Sequence, residues 1–409
     1  MVFPPEMKSL FPGNIRPFDL FLPGLPLYGF MLAKSTGSAC AGGEEPMNVD
    51  AILRKAVELH ASDVHLKAGQ KPFLRQHSTL VEMGEAELSP ADVTDAIQQV
   101  VPPHLQETFA TQHEADFSYT VEGAGRFRAN AFLTQGLPAL AFRHVKTKVP
   151  SFKDLHLPPA LESIAQAQRG IIIVSGATGS GKSTTLAAML NHMNHTERLR
   201  IITIEDPIEY LFPDNQCVIS QREVGLDTLS FQSALKHILR QDPDVIVIGE
   251  MRDQVTFRTA LAAAETGHLV LTTLHSSTAA IAVQRLLEFF PANEWDQIRL
   301  NIASNLLSVV CQRLLKGSQG GVIPAVEILI NTPTVRKLLE KNRMEILPAA
   351  VETGVDDGMQ TFNQSIYNLI KAGMISQEEG MIYATNPQAL RMNLQGIFLD
   401  ESRRILATI

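Results

Sequence analysis

The stretch Gly176-Ala-Thr-Gly-Ser-Gly-Lys-Ser-Thr-Thr185 decides how the rest of the chain is read. It matches G-x-x-x-x-G-K-[ST], the pattern of a loop that wraps phosphate groups. The apolar run Ile171–Val174 precedes it, and Ser183–Met193 reads as a helix behind it. That is the strand–loop–helix context the pattern requires. Gly176, Gly179 and Gly181 let backbone N–H groups converge on phosphate oxygens, helped by the helix N-terminus. Thr178, Ser180 and Thr184 complete the loop. Lys182 places a point charge on the β- and γ-phosphates, and Ser183 offers its hydroxyl to Mg²⁺. A merely structural glycine turn would not need the lysine, the hydroxyl and the flanking elements together.

Phosphoryl transfer also needs a carboxylate on the metal side and a base to orient the attacking water. In open α/β sheets both belong at the carboxyl ends of strands. Asp244-Val-Ile-Val-Ile-Gly-Glu250 puts Glu250 just past a buried strand, and Ile201-Ile-Thr-Ile-Glu205-Asp206 puts Glu205 at the end of another. A single acidic residue at a strand end is ordinarily a helix cap or a solvated group; two beside one phosphate loop are not so easily dismissed. Gly267-His268-Leu-Val-Leu-Thr-Thr-Leu-His275 supplies a fourth strand with a histidine at each end. His275, at the carboxyl end, is placed to sense a γ-phosphate or move a proton, whereas a lone histidine is more often structural.

Further out, the buried runs Gly170–Ser175, Arg200–Glu205, Asp244–Ile248 and Leu269–Leu274 alternate with helical patterns. Strands apolar on both faces belong to parallel sheets covered on each side, so this part reads as a doubly wound α/β domain. From about Asn293 the chain is expected to be mainly helical. Before it, helices are expected over Val49–His60, Pro90–Val101 and Pro103–Thr111. Strands are expected over Asp63–Lys67, Pro72–Gln76, Ala115–Val121, Arg126–Leu133 and Pro138–Val145. They make a small α+β domain over 47–148, followed after a proline-bearing linker by the second domain over 149–409.

Composition limits the partners. The 409 residues carry 35 basic and 43 acidic side chains, a net charge of −8, which argues against bulk binding to nucleic acid. The cysteines Cys40, Cys217 and Cys311 are too far apart in sequence for a Cys-x-x-Cys zinc pair or a disulfide framework. The apolar segment Phe18–Ala33 resembles an anchor, but Pro23, Gly24, Pro26 and Gly29 would break its helix. Residues 1–46 therefore read as a flexible extension, with Met47 as an alternative start.

Taken together, GATGSGKSTT, ITIEDPIEY, DVIVIGEMRD and TGHLVLTTLH resemble the phosphate loop, acid-rich box, atypical acidic strand and histidine box of the secretion ATPase superfamily. The chain is similar in particular to its type IV pilus retraction ATPases, the PilT type. HASDVHLKAGQKP, EADFSY, RFRAN, QREVG and DDGMQTFNQS extend the likeness over about residues 47–390. The resemblance implies a RecA-like P-loop ATPase domain preceded by a small PAS-like α+β domain. It implies Mg²⁺-dependent ATP hydrolysis and a homohexameric ring. By it Glu205 is the catalytic carboxylate, and Glu250 is a metal-side or second catalytic one, with Ser183 as the other metal ligand. Arg128 and Arg143 match arginines that reach the γ-phosphate, and His268 and His275 match the histidine box. It further implies a cytoplasmic protein at the inner face of the inner membrane, peripheral to it, working on an inner-membrane pilus platform protein.

Two departures bear on the role. The helix motif linked to retraction, close to AIRNLIRE in the family, stands here as Thr334-Val-Arg-Lys-Leu-Leu-Glu-Lys341, with its apolar pattern kept and part of its charge pattern changed. The four-cysteine zinc site usual in assembly and secretion members cannot be built, which favours retraction over extension. An accessory retraction ATPase or a type IVB-type secretion ATPase stands as an alternative. A RecA-like nucleic-acid translocase and a nucleotide-binding scaffold without turnover are the readings from other classes. The net charge argues against the first, and the pair Glu205 and Glu250 against the second.

Overall fold

The structure, a computed structural model, describes residues 47–76, 79–145 and 148–398. The expectations for residues 1–46 and for residues 399–409 lie outside it. The first part opens with helix α1 (Val49–Glu58), capped by the Asn48 side chain, which accepts from the Ala51 N–H. Strands β1 (Asp63–Lys67), β2 (Phe73–Gln76) and β3 (Thr79–Glu82) follow. Helix α2 (Pro90–Val100) starts where Ser89 and Asp92 form a reciprocal capping box with Pro90 in the first turn. Helix α3 (Pro103–Gln112) leads to β4 (Glu114–Val121), β5 (Gly125–Thr134) and β6 (Leu137–His144).

These strands form an antiparallel sheet in the order β3-β2-β1-β6-β5-β4. Alternation sorts its two faces. Val64, Leu66, Phe127, Ala129, Leu140 and Phe142 pack with Leu53, Val93 and Ile97 of α1 and α2 into one core. Asp63, Arg126, Arg128 and Arg143 stand on the other face. Strand β3 was not expected: all four of its residues are exposed, so pairing with β2 holds it rather than burial.

The second part begins with α4 (Ala160–Ala165), β7 (Gly170–Gly176), α5 (Lys182–Thr196), β8 (Arg200–Glu205) and β9 (Val218–Glu223). It continues with α6 (Phe231–Ile238), β10 (Val245–Ile248), α7 (Gln254–Glu265), β11 (Leu269–Leu274), α8 (Ala279–Glu288) and α9 (Trp295–Asn305). Then come β12 (Leu306–Lys316), β13 (Val322–Ile330), α10 (Pro333–Glu340), α11 (Leu347–Thr353), α12 (Phe362–Lys371), α13 (Gln377–Tyr383) and α14 (Pro387–Leu394). The sheet order is β13-β12-β7-β11-β10-β8-β9, parallel throughout except for β13. Ile171 and Ile173 face one apolar core and Ile172 and Val174 the other, so the sheet is covered on both sides. The molecule is an α/β protein with a RecA-like P-loop domain behind a small α+β domain.

The expectation of a mainly helical chain after Asn293 is corrected by β12 and β13. Their sequences, LLSVVCQRLLK and VIPAVEILI, are short apolar runs whose type periodicity alone does not settle. Pairing with β7 makes β12 a buried inner strand. The strand order has a direct consequence for chemistry. The carboxyl ends of β7, β11, β10 and β8 lie side by side at about 4.8 Å per strand. They present the phosphate loop, His275, Glu250 and Glu205 in that order.

Candidate functional site

Helix α5 starts without a side-chain cap: its N-cap residue is Gly181, at φ +89°. By contrast, Asp253 caps α7 and Thr278 caps α8. The first N–H groups of α5 are thereby left to bind an anion. Gly176 has no alternative residue, because a Cβ there would lie 2.6 Å from the Gln312 carbonyl oxygen and 2.4 Å from Ser180 Oγ. The Ser180 hydroxyl is buried and has no hydrogen-bond partner within the protein. The loop rests on β12, where Gln312 Oε1 accepts from the Thr185 hydroxyl at 3.0 Å.

Lys182 is almost fully buried, and its ammonium donates to the Gly176 and Ala177 carbonyls at 3.0 and 3.1 Å. Desolvation lowers its pKa, and Glu250 and Glu209 oppose that by charge. Its Nζ lies 3.5 Å from His275 Nδ1, and His275 Nε2 lies 3.3 Å from Glu250 Oε1. Arg252 grips the other Glu250 oxygen at 2.6 Å. Partial burial pushes the Glu250 carboxyl up, but Arg252, His275 and Lys182 together hold it below its ordinary range.

Glu205 has the opposite balance. Desolvation raises its pKa, only partly offset by the Thr203 hydroxyl at 2.7 Å and the Gln221 amide at 3.1 Å. Gln221 also donates to the Tyr210 carbonyl and accepts from the Phe212 N–H, so it ties the acidic loop to Glu205. The Tyr210 hydroxyl meets Thr184 Oγ1 at 3.0 Å. Two carboxylates of one cleft thus sit in environments that push their affinities for protons apart, the arrangement that separates base from electrostatic roles.

A cavity of about 700 Å³ unites these groups. Thr178, Gly179, Gly181, Lys182, Ser183, Thr184, Glu205, Glu250 and His275 line it, and Arg128 enters from the first sheet. Gly176 does not line it; together with His275 it borders a separate groove lined by residues of α8. Arg143 is the cross-strand partner of Arg128 but does not line the cavity; its Nε donates to Asp63 Oδ1 at 2.8 Å. Burial opposes ionisation of Asp63, yet the hydrogen bonds from Ser62 and Arg143 keep its carboxyl below the usual range. His268 stands at the amino end of β11, away from the phosphate loop, where its Nδ1 meets Thr266 Oγ1 and the Ala263 carbonyl.

Three contributors escaped the sequence reading: Gln221, Glu223 and Gln312. Glu223 accepts from Ser118 and Arg126 of the first sheet and from the Ile208 N–H of the acidic loop. Both Gln221 and Glu223 lie in QREVG, a segment that drew attention only by resemblance.

Oxygen donors fit a hard divalent ion that keeps waters and phosphate ligands. The Ser183 hydroxyl and the Glu250 carboxylate are of that kind. Among the described residues no group of three or more acidic, histidine or cysteine side chains forms a metal cage of its own.

The Type II/IV secretion system protein family matches residues 44–319. The type IV pilus ATPase PilU of Pseudomonas aeruginosa is 39% identical over 350 residues, 85% of this chain and 92% of that protein. PilT of the same organism, a type IV pilus retraction ATPase, is 39% identical over 342 residues, covering 84% and 99%. A crystal structure of the pilus retraction motor PilT with bound ADP superimposes with a TM-score of 0.79 at 40% identity, over 84% of this chain and 98% of that one. The Legionella pneumophila ATPase DotB follows at 0.73 and 27%, over 82% and 94%. With the phosphate loop, the acidic strand ends and the histidine in one cleft, this chain belongs to the type II/IV secretion system protein family and is a P-loop ATPase of its PilT type.

Proposed function

We propose that the protein is an Mg²⁺-dependent, homohexameric motor that drives type IV pilus retraction through an inner-membrane platform protein, from the cytoplasmic face of that membrane. In this reading residues 47–148 are the PAS-like domain, 149–409 the ATPase domain, and 1–46 an extension that turnover does not need. Among the described residues no helix is long and apolar enough to cross a membrane, which suits a peripheral attachment.

The loop N–H groups and Lys182 bind the triphosphate. Ser183 and Glu250, the latter partly through water, would hold the Mg²⁺, which neutralises charge on the β- and γ-oxygens when bound. Glu205, with its raised proton affinity, takes the proton of the attacking water; a base works best when its pKa approaches the working pH. His275 bridges Lys182 and Glu250 and is placed to respond to the γ-phosphate. Arg128 adds charge stabilisation to the transferred phosphoryl group. Arg143, on the same sheet face but outside this subunit's cleft, serves the phosphate of a neighbouring subunit in the ring. His268 takes no part in binding nucleotide.

The observation that carries this reading is the unbroken chain Lys182–His275–Glu250 facing Arg128 across one cleft. The test is phosphate release by the purified full chain with and without Mg²⁺, and with Lys182→Ala. Mixing Arg143→Ala with Glu205→Gln subunits should restore some turnover, and no recovery counts against completion of the site between subunits. Loss of the gene should leave abundant surface pili without surface motility, whereas bald cells would indicate assembly.

A second reading is an accessory retraction ATPase: the chain is as similar to PilU, whose name specifies a type IV pilus ATPase but not retraction, as it is to PilT. The altered charges of α10 point the same way. Retained retraction after gene loss would support it.

A further inference from the structure

We propose that Glu223 is a positioning residue that locks Arg128 on one wall of the nucleotide cleft to Glu205 on the other. The proposal rests on the reading of the cleft given above. Glu223 ends β9 and is only 4% exposed. Its carboxylate accepts from the Ser118 hydroxyl at 2.5 Å, from an Arg126 guanidinium nitrogen at 2.9 Å and from the Ile208 N–H at 3.1 Å.

Those partners are not scattered. Ser118 is the cross-strand neighbour of Arg128, and Arg126 lies two residues before it on the same face of β5. Glu223 therefore holds the two side chains that flank Arg128. On its other side, Glu223 is the register partner of Glu205, and the next N–H, that of Val224, donates to the Glu205 carbonyl at 2.9 Å. Ile208 lies in the loop that follows Glu205. One buried carboxylate thus has short, direct links to the immediate surroundings of both groups, and touches neither the nucleotide cavity nor the reacting atoms.

The physical chemistry makes this link decisive yet breakable. A buried carboxylate is tolerated only with its partners in place, so Glu223 depends on Arg126 and Ser118 being docked on it. Separation of the two sheets would strand it. At the same time Arg126 spends only one nitrogen on the pair, and its buried Nε has no partner, which keeps the net gain of docking small. A contact of this kind favours one disposition of the walls without welding them, and the position of Arg128 relative to Glu205 follows it.

The test is a double-mutant cycle on kcat in the full chain at saturating ATP and Mg²⁺, with Arg128→Ala and Glu223→Gln. The expected result is that each change alone lowers kcat severalfold or more with a smaller change in KM. The pair together should be little worse than either one, because an unlocked Arg128 has already stopped contributing. Effects that multiply would overturn the proposal while leaving the cleft reading intact, since Glu223 would then be a structural ion pair that destabilises the fold independently. No loss from Arg128→Ala alone would overturn the cleft reading itself, and this proposal with it. Should Glu223→Gln fail to fold, Ser118→Ala removes a single hydroxyl and is expected to show the same non-additivity with Arg128→Ala at smaller amplitude.

Discussion

His275 Nε2 lies 3.3 Å from Glu250 Oε1, between two strands that are neighbours in the sheet. That contact, with Arg252 on the other carboxylate oxygen, keeps Glu250 ionised beside Lys182. Glu250→Gln preserves the shape and removes the charge. We expect it to lower turnover by about 10²-fold or more, within the range for loss of a positioned acid–base or charge-stabilising group. Binding of a fluorescent ATP analogue should change far less. His275→Ala should cost less than Glu250→Gln, because the histidine acts on the phosphate through its neighbours. Equal losses would make the histidine a direct participant.

Lys182→Ala should abolish measurable hydrolysis. The ammonium is held within 3.1 Å of two loop carbonyls. Its removal also frees the Gly176 and Ala177 carbonyls, so nucleotide affinity should fall together with kcat. Near-normal turnover would contradict the assignment of the loop.

Glu205 sets a pH expectation. Desolvation raises its pKa, and it must be ionised to accept a proton. The acid limb of the kcat/KM profile should therefore lie above the ordinary carboxylate range. Gln221→Leu removes a donor that favours the charged form, so it should move that limb to still higher pH. The effect on stability has the opposite sense. Between the ordinary glutamate range and the raised value, the folded state binds the extra proton, so this group's contribution falls as pH rises through that window. A limb unmoved by Gln221→Leu would belong to another group.

The phosphate loop was legible because each of its residues is dictated by local phosphate geometry, and β7, β8, β10 and β11 were legible because buried parallel strands are continuously apolar. The inner and edge strands β12, β13 and β9 were not. The first two are apolar runs that periodicity cannot type, and VISQRE owes its strand to pairing with β8 and to polar contacts. Glu223 and Gln312 share that opacity for a related reason. Ser118 and Glu223 are 105 residues apart, and Thr185 and Gln312 are 127 apart. A polar residue whose partner is that distant leaves no periodic trace. Conversely, Arg143 and His268 matched motifs, yet in this subunit one turns to Asp63 and the other to Thr266.

Gln312 gives the last expectation, one that separates support of the loop from chemistry. It is 4% exposed, its Oε1 accepts from Thr185 in the first turn of α5, and its carbonyl oxygen closes against Gly176. Gln312→Ala leaves the buried Thr185 hydroxyl without that acceptor, a loss of about 1–3 kcal/mol in stability. The melting temperature should fall, and KM for ATP should rise more than kcat falls, because the loop is loosened while Glu205 and Glu250 keep their partners. Gly176→Ala should be harsher. Its backbone sits at φ +150° and the new methyl would meet the Gln312 carbonyl oxygen at 2.6 Å, so either the loop or β12 must shift. Adding Gln312→Ala cannot rescue it, since the clash is with the Ser180 side chain and the Gln312 backbone carbonyl, neither of which that change removes. A double variant that regains nucleotide binding would show that the loop rests on β12 through the side chain alone.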